Sequence, residues 1–150
     1  MKKVVGLVVL LVFVQQLANA QKNSIEWHSF EEVIEKTAEN PKMILVDVYT
    51  DWCGWCKKMD RNTFTDPKVI AYVNENFYAV KLNAEDRKKK FEFKSKEYTG
   101  QKMAYFMRVS SYPNFVIMDS TMESITQLPG YREPDNFVSS LKLLLENFDN

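Results

Sequence analysis

An α/β fold is the class this 150-residue sequence predicts, and three observations carry the prediction. Stretches with helical spacing of apolar residues alternate with short apolar runs of strand length. One such run, "KMILVDVYT" from Lys42 to Thr50, is apolar almost throughout, which suits a strand covered on both faces. Caps and breakers separate the segments, with no repeat, low-complexity tract or dividing linker between them.

The elements follow in order. Ser29 and Glu32 form a capping-box pair, and Phe30, Val33, Ile34 and Ala38 recur at helical spacing to about Glu39. Asn40-Pro41 stops this N-terminal helix. The strand Lys42–Thr50 comes next, broken by a single acid, Asp47. A helix from about Cys53 to Arg61 follows. Asp66 then caps a helix with Pro67 in its first turn and Val69, Ile70 and Val73 on its apolar face. "FYAVKLN", Phe77 to Asn83, reads as a second strand of a parallel core.

Residues 85–100 form a charged insert, in which Phe91 and Phe93 alternate with Glu92 and Lys94 as in a small hairpin. Six basic residues face four acidic ones between Glu85 and Glu97, so the Arg87–Lys90 run reads as a solvated edge rather than an anion site. A helix spans about Gln101 to Arg108. Tyr112–Asp119, entered through Pro113, pairs as a hairpin with Ser124–Leu128, and Gly130 turns the chain. Pro134 opens the last helix, whose buried stripe is Phe137, Val138, Leu141, Leu144, Leu145 and Phe148. Tyr49, Met59 and Phe64 are assigned to the core.

The first twenty residues have a basic start, a short apolar run from Val4 to Val14 and the triplet Ala18-Asn19-Ala20. That is the pattern of a secretory signal peptide cleaved after Ala20. The run is shorter than the ~20 residues a spanning helix needs; an uncleaved anchor is the alternative. Cleavage leaves one domain, residues 21–150, exported to the periplasm or outside the cell with no stable membrane insertion. The remaining charge, 18 basic against 20 acidic residues, favours neither nucleic acid nor a membrane surface as partner.

Both cysteines of the chain, Cys53 and Cys56, lie in "DWCGWCKK". A disulfide between them would close almost no loop and so stabilise little. In a compartment where disulfides persist, the pair reads as a working dithiol. A sulfur at a helix N-terminus faces unpaired N–H groups and the positive dipole end, both of which favour thiolate. Cys53 would attack a disulfide, and Cys56, one turn deeper and shielded, would resolve the intermediate. That exchange needs no cofactor or metal. Zinc would need four ligands, and the chain adds only one histidine, His28, which reads as a surface or helix-edge residue. An acid in an apolar strand is costly without a task or a partner. Asp47 could pass a proton to and from Cys56 through water, or pair with Lys81 on the neighbouring strand, and the two can coexist.

"ILVDVYTDWCGWCK", Ile44 to Lys57, resembles the active-site strand and turn of thioredoxins. It matches them at Asp47, Trp52, both cysteines, Gly54 and Lys57, and Pro113 and Gly130 fall where the family has its cis-proline and a glycine. The resemblance covers most of residues 25–148. It implies a thioredoxin fold, a central mixed sheet flanked by helices, here with the N-terminal helix and the 85–100 insert. It also implies a redox-active Cys53–Cys56 disulfide and a substrate groove beside Gly54 and Pro113, the Tyr112 backbone pairing with substrate. The Trp52 and Trp55 rings would shield the site and offer substrate contact area, or simply pack. Trp55 replaces the family's proline, and with the helix and insert this looks more like the exported thioredoxin-related proteins. The implied activity is thiol–disulfide exchange with protein substrates, as a reductant; in an oxidising compartment a reductant must be recharged, which implies a membrane thiol-electron donor. The rival readings are an oxidant or isomerase of the same fold and a non-catalytic polypeptide-binding module.

Overall fold

The computed structural model describes residues 23–148; the signal segment expected at 1–20 lies outside the described residues. The chain runs β1 (Trp27–His28), α1 (Phe30–Glu39), β2 (Met43–Tyr49), α2 (Gly54–Lys58), a π-helical segment (Met59–Thr63) and α3 (Pro67–Asn76). It continues through β3 (Phe77–Asn83), β4 (Lys90–Phe93), β5 (Lys96–Thr99), α4 (Gly100–Phe106), β6 (Asn114–Met118), β7 (Ile125–Pro129) and α5 (Pro134–Phe148).

Five strands form a mixed sheet in the order β1-β3-β2-β6-β7, with β1, β3 and β2 parallel and β6 and β7 antiparallel additions. The expected α/β architecture, a central mixed sheet flanked by helices, is present. The two-residue β1 is an addition to the sequence reading, being too short to show periodicity.

Local chemistry sets the boundaries. Ser29 Oγ accepts the Glu32 N–H at 3.2 Å, and the Glu32 carboxylate accepts the Ser29 N–H at 2.7 Å, closing the capping box. Asp66 accepts the Lys68 and Val69 N–H groups at the start of α3. Along α1 the apolar stripe needs one correction. Ala38 is exposed, and Thr37 takes the buried position because its hydroxyl donates back to the Val33 carbonyl at 2.8 Å.

Strand alternation sorts the core into two layers. Ile44, Val46, Val48, Val80, Leu82, Val116 and Met118 face α1, α4 and the β4–β5 hairpin. Leu45, Ala79, Phe115 and Ile117 face the other layer, with Met59, Phe64, Val69, Val73, Phe137 and Leu141. Burial of each large side chain contributes about 1.5–3 kcal/mol. The same alternation puts Asp47 and Lys81 on the Met59 and Phe64 side, as register partners on β2 and β3.

The charged insert does more than ring a solvated edge. Lys88, Lys89 and Lys90 are exposed as expected, but Phe93 is fully buried and Phe91 stacks on Phe30 at 4.9 Å. Behind the hairpin, α4 starts at Gly100 rather than Gln101. A Cβ there would lie 2.1 Å from the Asn83 carbonyl oxygen, so only glycine permits this approach of helix to strand.

Candidate active site

The cysteine loop grows from the end of β2. The Cys53 N–H donates to the Thr50 carbonyl at 3.2 Å, closing a tight turn through Asp51 and Trp52. Asp51 accepts the Asn83 side-chain amide at 3.1 Å, which ties that turn to the end of β3. Cys53 is the N-cap of α2, so the helix begins at Gly54, one residue later than expected.

Cys53 and Cys56 form a disulfide across Cα atoms 5.3 Å apart. The Cys56 N–H points at Cys53 Sγ at 3.0 Å. The sulfur therefore occupies the position a capping oxygen usually fills, against N–H groups at the start of a helix. This is the placement that favours a thiolate when the bond opens. The expected difference in shielding is not seen: both cysteines are 4% exposed. What distinguishes them is the cap position of Cys53 and the helical position of Cys56.

The two tryptophans flank the pair and remain largely in solvent, Trp52 67% and Trp55 57% exposed. Trp52 donates its indole N–H to Glu85 at 3.0 Å and meets the Tyr112 ring edge-on at 5.9 Å. Trp55 packs on Tyr131 at 5.2 Å, with the Lys58 ammonium over both rings. Trp52 and Tyr112 bring the cysteine loop beside the Tyr112–Pro113 peptide, which is cis. Pro113 is buried, and its carbonyl accepts the Gly130 N–H at 2.8 Å. Gly130 has φ +89°, a left-handed conformation that glycine adopts without cost. At Gly54 a Cβ would meet nothing within 4 Å, so the surface between the tryptophans is open.

Asp47 lies on the sheet face covered by the helical stretch that starts at the cysteines. Lys81 donates to Asp47 Oδ2 at 3.0 Å and also to Asp60 of the π-helical segment. Asp47 Oδ1 is buried with no hydrogen-bond partner. Burial drives the Asp47 carboxyl up to about 6 from its ordinary 3.8; the Lys81 ammonium pulls the other way and Asp60 adds to the rise. Partial burial alone would lower Lys81, but the two carboxylates hold it above its usual range. The Lys81 ammonium also sits over the rings of Trp27, Tyr49 and Phe64. Tyr49 is half-buried, unlike Met59 and Phe64, which are core.

Asp60, Glu85 and Tyr131 were not singled out by sequence. Asp60 carried a usable signal, four residues after Cys56 and so on the same side of a helix. His28 is placed on β1, its ring edge-on to Tyr78 at 5.9 Å. Among the described residues no group of three or more His, Cys, Asp or Glu side chains is placed to hold a metal ion.

A protein family described as a thioredoxin-like domain matches residues 30–145. A "Thiol:disulfide interchange protein DsbD" of Haemophilus influenzae is 31% identical over 86 residues, covering 45% of this chain and 15% of that protein. The chain thus matches a small part of that relative's length. Among solved structures, a DsbH oxidoreductase superposes with TM-score 0.69 at 19% identity, covering 85% of this chain and 89% of the other. A Bacteroides thetaiotaomicron protein, provisionally described as a disulphide-isomerase, has TM-score 0.65 at 26% identity, with 85% and 98% covered.

Proposed function

The chain belongs to the thioredoxin-like domain family, and we propose that it is an exported thiol–disulfide oxidoreductase acting on protein substrates as a reductant. The observation that carries this reading is the cysteine pair at the start of α2, with the Cys56 N–H on Cys53 Sγ between two exposed tryptophans.

In the reduced pair, the Cys53 thiolate attacks one sulfur of a substrate disulfide, and the other substrate sulfur leaves as thiolate. Asp47, raised toward neutrality, takes the Cys56 proton through water. Cys56 then attacks Cys53 Sγ, expelling the second substrate sulfur, which collects a proton. Two electrons pass from the dithiol to the substrate, leaving the Cys53–Cys56 disulfide. An external dithiol must restore the pair, and in an exported protein that donor would be a membrane thiol-electron carrier. Trp52, Gly54, Trp55 and Tyr112 would form the surface over which the substrate chain lies, with the buried Pro113 shaping it from beneath.

A second reading, an oxidant or isomerase of the same fold, is favoured by the similarity to the Bacteroides protein. The reduction potential of the pair in residues 21–150 separates the two. We expect a value near the roughly −270 mV of a reductant; a value near about −120 mV would reverse the direction of electron flow. Cys53→Ser should abolish reduction of a protein disulfide, while Cys56→Ser should accumulate mixed disulfides with its substrates. A chain that binds polypeptide yet never cycles its cysteines would be a binding module, and the exchange reading would be lost.

A further inference from the structure

On the surface of α4 lies an open groove of about 990 Å³ lined by Tyr98, Gln101, Lys102, Tyr105, Phe106, Arg108, Val109 and Ser110. The exchange chemistry uses none of these residues. Tyr105 is 86% exposed and Phe106 47%, side by side on one short helix. The β4–β5 hairpin supplies the opposite wall, its Tyr98 ring 5.5 Å from Phe106. The insert at 85–100 thus has a visible product, an aromatic shelf that a helix alone would not make.

The charge on this shelf has one sign. Lys102 and Arg108 line it, and no carboxylate does. Glu97, on the hairpin strand that carries Tyr98, is engaged by Lys90 at 2.7 Å.

Arg108 adds an independent observation. α4 ends in a Schellman motif, the Val109 N–H donating to the Ala104 carbonyl at 3.0 Å and the Arg108 N–H to that of Tyr105 at 2.9 Å. The motif needs a left-handed residue, usually glycine, and here Arg108 holds φ 58°. A position where glycine is easier is occupied by a cation that lines the groove. Of the four non-glycine residues with positive φ among the described residues, Arg108 is the one that lines this groove.

The groove lies a short stretch of chain from the cysteine loop. Val109 and Ser110 are among its lining residues, and three residues after Val109 comes Tyr112, whose ring meets that of Trp52. Three residues of chain span at most about 10 Å. A polypeptide passing over Tyr112 therefore reaches the shelf within a few of its own residues.

We infer that the α4–hairpin groove is an accessory substrate site that grips an aromatic side chain followed by a carboxylate, close in sequence to the reacting cysteine. The inference rests on the proposed exchange activity, and its test keeps the two separable. Fluorescein-labelled nonapeptides carrying Phe-Asp, Phe-Lys or Ser-Asp are titrated with the full chain. The Phe-Asp peptide should bind tighter than either comparator by about five-fold or more. Arg108→Glu should invert the Asp-over-Lys preference, and Tyr105→Ser should remove the advantage of Phe. Arg108→Gly should lose the acidic preference while keeping or raising Tm, which a folding defect would not do. Equal binding of all three peptides by the wild type overturns the groove.

The same peptides are then made with a cysteine three residues to either side of the pair, as mixed disulfides with thionitrobenzoate. The preference should reappear in KM for one of the two placements, with kcat unchanged. Tight Phe-Asp binding without that KM effect overturns the groove's role as a substrate site. Reduction of bis(2-hydroxyethyl) disulfide, which carries neither a ring nor a carboxylate for the groove to grip, should be equal in wild type and groove variants. Its absence in the wild type would count against the exchange activity, while the binding titration still judges the groove.

Discussion

At the end of β2 that carries the cysteine loop, three buried polar atoms have no hydrogen-bond partner: Asp47 Oδ1, Thr50 Oγ1 and Asn114 Oδ1. At the opposite end, Asp119 closes the β6–β7 turn with both oxygens engaged. It accepts the Glu123 N–H at 3.0 Å, the Thr121 hydroxyl at 2.9 Å and the Ser124 N–H at 3.3 Å. Partial burial would raise the Asp119 carboxyl, but these donors outweigh it and hold the group below its ordinary value. Two aspartates, one on β2 and one in the β6–β7 turn, are thus shifted in opposite directions. One end has its aspartate fully engaged, and the other leaves three polar atoms unpartnered near the cysteine loop, which is what the proposed exchange site would require if function competes with packing there.

The largest way to break this contrast is Asp47→Asn. With its carboxyl at about 6 in the fold against 3.8 ordinarily, folded protein holds a proton that the unfolded chain has released between those values. Stability therefore falls as pH rises from about 4 to about 6 and is level above that range. The amide carries no such term, so the variant should gain about 2–3 kcal/mol at pH 7 and none near pH 4. Urea denaturation across that range measures it, and a variant less stable than wild type at pH 7 would refute the account of this end.

Asp119→Ala should do the reverse, with a smaller effect. After allowance for its exposure, losing the turn's acceptors should cost about 1 kcal/mol. Because the group is held low, its contribution is present above its ordinary value and disappears as pH falls through the folded one. The wild type and variant should converge in acid, as they do for Asp47→Asn, but here the wild type is the more stable of the two at pH 7. Smallest is Thr50→Val, which replaces an unpartnered buried hydroxyl with a methyl of similar shape. It should be neutral or stabilising by about 0.5–1 kcal/mol, read as a rise in Tm. A clear loss would mean that the hydroxyl has a partner such as ordered water.

Much of this contrast was legible in the sequence at the level of single residues. Asp47 stood out as the acid in an apolar strand, and Lys81 as its partner followed from strand order. The cysteine helix was legible from spacing and composition. Its details were not: Cys53 caps the helix instead of joining it, and periodicity cannot distinguish those positions. Asp60 carried only its spacing from Cys56 as a signal, because its role depends on a tertiary contact through Lys81. Tyr105 and Phe106 looked like ordinary helix residues, since exposure is decided by what packs against a helix. The hairpin's aromatic alternation was visible, but its stack on Phe30 needed the fold.

One feature of the cysteine helix reaches beyond the sulfur chemistry. Past Lys58 the hydrogen bonding widens, and the Phe64 N–H donates to the Met59 carbonyl five residues back at 2.9 Å. Relative to an α-helix, this is one residue too many for the turn, a phase shift of about 100°. The surplus uncouples two orientations that a regular helix would lock together: which way the sulfurs face, and which way Met59 and Phe64 enter the core. The π-helical turn is therefore the hinge at which the angle between the cysteine loop and the buried face of Met59 and Phe64 is set.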